Sequence, residues 1–121
     1  MNYESMVRIE SKCSEGVSFQ ILRMSFGRRL ELIRKVRELG RKLDFLRTSD
    51  ATEDRVESSL LAGEIEALYL EWGLARVDGL VMDGTPATPA AVIATGPEEL
   101  TREILEAIRM ECSLNEDERK N

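Results

Sequence analysis

Carboxylates are the side chains here most able to do chemistry, because paired acids can move protons or hold Mg²⁺. Glu57, Glu64 and Glu71 recur every seven residues, which sets them on one face of a helix. Asp78 and Asp83 each precede a glycine. Neither set comes with a nucleophile or a metal-ligand motif. A solvated or salt-bridged face therefore explains the glutamates better than acid–base work, and turns explain the aspartates. The chain has no histidine, which removes the commonest general base and the Ser-His and Cys-His pairs. Cys13 and Cys112 lie far apart with no paired motif around either, so free buried thiols are the reading, over a disulfide or a zinc site. There is no Gly-rich phosphate loop. No catalytic, cofactor-binding or metal-binding residue is assigned, and an enzyme is not expected.

The remaining chemical feature is a block of positive charge. Residues 23–47 carry nine basic side chains (Arg23, Arg28, Arg29, Arg34, Lys35, Arg37, Arg41, Lys42, Arg47) against Glu31, Glu38 and Asp44. Such a helix could meet phosphates in a groove. The whole chain nevertheless has a net charge of −6 and a pI near 4.8, which repels nucleic acid and anionic membranes alike. Residues 50–72 supply the counterweight, with Asp50, Glu53, Asp54, Glu57, Glu64, Glu66 and Glu71 against Arg55 alone. Neither a nucleic-acid nor a membrane partner is expected. No apolar run is long enough to span a bilayer, and the start from Met1 lacks the order of a signal peptide.

These charges must be positioned by elements, and the 121 residues with 42% hydrophobic content suit one domain. From 6 to 23, Val7 and Ile9, then Val17, Phe19 and Ile21, alternate with polar residues on either side of Glu15-Gly16, which predicts a β-hairpin. Ser25 can cap a helix over about 26–48, with Phe26, Leu30, Ile33, Val36, Leu39, Leu43 and Leu46 at spacings of three and four. Thr48-Ser49-Asp50 breaks it. A second helix over about 53–72 holds Val56, Leu60, Leu61, Ile65, Leu68, Tyr69 and Trp72 and ends at Gly73. The short connection and opposite charges predict an antiparallel pair, with Gly40 and Gly63 facing each other at a close approach. Asp78-Gly79 and Asp83-Gly84 punctuate a small extended segment or second hairpin. Thr88-Pro89 opens a short helix, and Gly96-Pro97-Glu98-Glu99 opens a third main helix over about 97–112 with Leu100, Ile104, Leu105 and Ile108. Ser113 with Glu116, or Asn115 with Glu118, offers a last cap before a polar tail over 115–121. The expected fold class is α+β, mainly α: an N-terminal β-hairpin, an antiparallel αα-hairpin, a short extended segment and a third main helix.

The run Lys12-Cys13-Ser14-Glu15-Gly16-Val17-Ser18-Phe19-Gln20-Ile21, leading into Arg23-Met24-Ser25-Phe26-Gly27-Arg28-Arg29-Leu30-Glu31-Leu32, resembles the tail assembly chaperones of long-tailed bacteriophages, of the lambda G type. Residues 68–73, 77–86 and the stretch from Gly96-Pro97-Glu98-Glu99-Leu100 to Glu118-Arg119-Lys120-Asn121 are similar to prophage-encoded members. The resemblance spans most of the chain, through structural motifs. It implies a protein that binds the helical tape measure protein, helps recruit tail tube subunits, acts in the host cytoplasm and is absent from the mature virion. Many members of that family also make a longer product by ribosomal frameshifting. Lys120-Asn121 would suit a slippery heptamer if encoded by AAA-AAC after an A.

Function is thus expected through protein binding, by apolar residues of the second and third helices: Leu61, Ile65, Leu68, Tyr69, Trp72, Leu100, Ile104 and Ile108. Core packing competes with that role, for Trp72 above all. Self-association is left open. The competing readings are a structural head–tail joining or minor tail protein of the virion, and a small nucleic-acid-binding regulator using the basic helix.

Overall fold

The structure, a computed structural model, describes the backbone of residues 1–49 and 51–120 and the side chains of 1–49 and 51–113. Asp50, Asn121 and the side chains of the proposed tail, including Glu116, Glu118 and Lys120, lie outside the described residues. The chain forms two compact units, Met1–Met24 with Leu70–Asn121, and Ser25–Tyr69.

The first unit is built on period-two alternation. β1 (Met6–Glu10) and β2 (Ser18–Leu22) pair antiparallel, with Val7 opposite Ile21 and Ile9 opposite Phe19. The turn between them uses Gly16 at φ +78, a conformation that glycine adopts at little cost. Val17, Phe19 and Ile21 are buried, as the alternation predicts. The extended segment after the second helix does more than was expected of it: β3 (Leu74–Asp78) joins the far side of β2, giving a sheet in the order β1-β2-β3. Its following turn needs Gly79 at φ +83, because a Cβ there would run into the Gly16 carbonyl oxygen. The anticipated second hairpin is also present, as β4 (Val81–Met82) and β5 (Thr85–Pro86). Asp83 and Gly84 both take positive φ, the two-residue turn that matches strand twist.

Two helices complete this unit. Thr88 caps α3 (Pro89–Thr95) by accepting a hydrogen bond from the Ala91 N–H, with proline in the first turn. α4 (Glu98–Lys120) packs on the sheet through Leu100, Ile104, Leu105 and Ile108, all buried. Burying side chains of this size stabilises by roughly 1.5–3 kcal/mol each. α4 runs beyond the predicted end at 112, with no glycine or proline there to interrupt it. Leu70, Trp72 and Gly73, the end of the second helix, also belong here. A Cβ on Gly73 would come within 2.8 Å of Ile108, which explains a glycine at that position.

The second unit is a helical hairpin made of α1 (Phe26–Arg47) and α2 (Thr52–Gly73) up to Tyr69. Ser25 caps α1 by accepting from the Arg28 N–H at 3.2 Å. Glu53 and Asp54 occupy the first turn of α2, where they complement the helix dipole. The fold is α+β and mainly α, with the antiparallel helix pair following the strand hairpin. Two details of the helix pair are corrected. Gly40 and Gly63 do not mediate a close approach, because a Cβ on either would meet open space. The buried row of α1 is Leu32, Val36, Leu39, Leu43 and Leu46, at spacings of four and three, with Leu32 and Leu43 buried and the others half-buried. Phe26, Leu30 and Ile33, expected in that row, are exposed. Among the described residues, no helix is long and apolar enough to cross a membrane.

Candidate functional site

Five of the eight residues expected to meet a partner are interior. Leu61 is buried in the helical hairpin, while Trp72, Leu100, Ile104 and Ile108 belong to the core of the sheet unit. That expectation is corrected for them. Periodic apolar positions are claimed first by the core, and these five leave no surface for a partner. Ile65, Leu68 and Tyr69 are half-buried, on the α2 face that carries Leu61.

The apolar surface that is exposed lies elsewhere on the hairpin. Phe26, Leu30 and Ile33 follow one another by four and three residues and form a second row on α1, about a third of a turn from the buried one. On α2, Val56 and Leu60 are similarly turned away from the Leu61 row. Phe26 is 77% exposed, Phe45 76% and Val56 68%. Scattered apolar side chains are ordinary on a protein surface, and what stands out here is the aligned row of Phe26, Leu30 and Ile33 on one face of α1. The signal was present in the sequence. α1 has more apolar residues than one stripe can hold, and the surplus sits on a separate face.

Charge frames this surface. Arg34, Lys35, Arg37, Arg41, Lys42 and Arg47 are exposed on α1, with Arg41 ion-paired to Glu38 at 3.8 Å. A crevice of about 420 Å³ near the end of α1 that leads into α2 is lined by Arg41, Lys42, Phe45, Leu46, Glu57 and Leu61. It sets Phe45, Leu46 and Leu61 between walls of both signs, Arg41 and Lys42 against Glu57.

The sheet unit holds the polar cluster that most resembles a designed site. Glu103 of α4 accepts hydrogen bonds from Ser11 Oγ at 2.6 Å, the Lys12 N–H at 2.7 Å and Cys13 Sγ at 3.3 Å. Burial pushes its carboxyl up, but these bonds, with one from the Cys13 backbone, outweigh burial and hold it below the usual glutamate value. The arrangement ties the β1–β2 loop to α4. Cys13, expected to be buried, is exposed because that loop stands at the surface, and Cys112 is half-buried; neither is in a disulfide. Glu57, Glu64 and Glu71 are exposed along α2. Among the described residues, no group of three or more potential ligands is placed to hold a metal ion. No family model, no curated protein and no solved structure matches the chain.

Proposed function

We propose that this chain is a non-enzymatic tail assembly chaperone that binds the helical tape measure protein, keeps it dispersed in the host cytoplasm, helps recruit tail tube subunits and leaves before the virion is complete. The observation that carries the reading is the exposed apolar row Phe26, Leu30 and Ile33 on α1, with further exposed apolar side chains at Phe45, Val56 and Leu60. A long helical client presents apolar stripes that aggregate when bare, and helices with unspent apolar rows can cover them. The basic flank of α1 favours a client whose stripe is bordered by acids, and the net charge of −6 keeps the complex soluble. The resemblance of residues 12–32 to tail assembly chaperones supports the particular client.

Co-expression tests this reading. The native chain should hold the tape measure protein of the same phage in the soluble fraction. The double variant Phe26→Glu, Ile33→Glu should keep its helical circular dichroism yet release the client to the pellet. If the folded double variant protects the client as well as the native chain does, the proposed surface is wrong. Finding the protein in purified particles would favour a joining or minor tail protein instead.

A further inference from the structure

We propose that two copies of this chain join through the free edge of β1, making one continuous six-stranded sheet in which Arg8 of each copy faces Glu10 of the other. The strand order β1-β2-β3 leaves one side of β1 without a strand. Hydrogen-bond direction shows which groups that side offers. The Arg23 N–H bonds the Ser5 carbonyl and the Ser11 N–H bonds the Val17 carbonyl, so odd-numbered positions of the strand turn towards β2. Alternation then points the N–H and C=O groups of Met6, Arg8 and Glu10 outward.

An exposed edge normally carries charge that repels another copy. Here the two charges have opposite sign and sit two residues apart on the solvent face, where they pair within the strand at 3.2 Å. In an antiparallel register centred on Ile9, Arg8 meets Glu10 of the second copy twice, and each facing pair exchanges both main-chain hydrogen bonds. The register also continues a pattern across the sheet. Arg8, Gln20 and Arg76 form one cross-strand row, and Glu10, Ser18 and Asp78 the next. The two-fold joins the basic row of one copy to the acidic row of the other. On the opposite face, Ile9 meets its own counterpart at the closely spaced pair position, beside a groove that Val7, Ile9 and Met110 line together with Lys12, Glu106 and Glu111.

The inference stands apart from the choice of client. Sedimentation of the full chain tests it, with a reversible dimer expected. Arg8→Glu and Glu10→Arg each turn both facing pairs into like charges and should raise the dimer dissociation constant by about tenfold or more. Mixing those two variants should restore dimers, since every facing pair is then opposite again. Both substitutions are at exposed positions, and thermal melts matching the native chain will confirm folding. A native chain that sediments as a monomer at every concentration, single variants that dimerise like the native chain, or a mixture that fails to recover overturns the proposal.

Discussion

The long helices of the two units use their apolar stripes differently. In the sheet unit, Phe19, Val92, Leu100 and Ile104 are completely buried, and the stripe of α4 is consumed by the strands beneath it. In the helical hairpin only Leu32, Leu43 and Leu61 are buried among the described residues, while Phe26, Leu30, Ile33, Phe45, Val56 and Leu60 remain exposed. Similar helical periodicity therefore serves stability in one region and leaves an unoccupied surface in the other. A stripe earns the name of core only when another element is there to cover it.

Paired substitutions break or sharpen this contrast. The largest effect is expected for Phe19→Ala, which should lower stability to denaturant by about 3–5 kcal/mol through the cavity it leaves. Phe26→Ala, an identical change in the other unit, should move stability by no more than about 0.5 kcal/mol. Comparable losses at the two positions would erase the distinction. Next comes Gly79→Ala, expected to destabilise by about 1–3 kcal/mol because positive φ and the Gly16 carbonyl both oppose a Cβ.

The helix glycines give the reverse sign. Gly40→Ala and Gly63→Ala should each stabilise the hairpin by about 0.5–1 kcal/mol, since alanine is the better helix former and the added methyl meets nothing. Losses at both would mean that the helices approach closely there after all.

The smallest effect is a pH dependence at the loop clamp. The folded-state pKa of Glu103 is lowered. Its contribution is therefore complete above the unfolded-state value and is lost as pH falls through the ordinary glutamate range towards the folded value. Denaturation of Glu103→Gln should differ most from the native chain at neutral pH, with the gap closing on acidification. A gap that widens in acid would contradict the hydrogen-bonding account.

Much of this fold was legible because local chemistry and local geometry agree. Alternation on either side of Gly16 marks the strand hairpin, Ser25 and Thr88 act as caps where their side chains suggest, and Asp83-Gly84 makes its turn. The place of β3 was harder to see. It starts directly after Gly73 with no loop between helix and strand, and its partner β2 is more than fifty residues away in sequence, as Phe19 opposite Val77 illustrates. Local pattern specifies an extended segment but not its neighbour. The exposed apolar row of α1 was least legible. Periodicity shows that α1 has an apolar face, yet Phe26, Leu30 and Ile33 satisfy the same spacing rule as Leu32, Val36 and Leu39. Only tertiary packing decides which row is covered, and it chose the row that includes Leu32.

Hydrogen–deuterium exchange of the full chain, alone and mixed with the tape measure protein, decides whether a client docks on the exposed apolar residues of the hairpin. New protection over Phe26 to Ile33 and around Phe45, Val56 and Leu60, with the sheet unit unchanged, is the predicted result. A complex that forms while those segments exchange as they do in the free chain would contradict it.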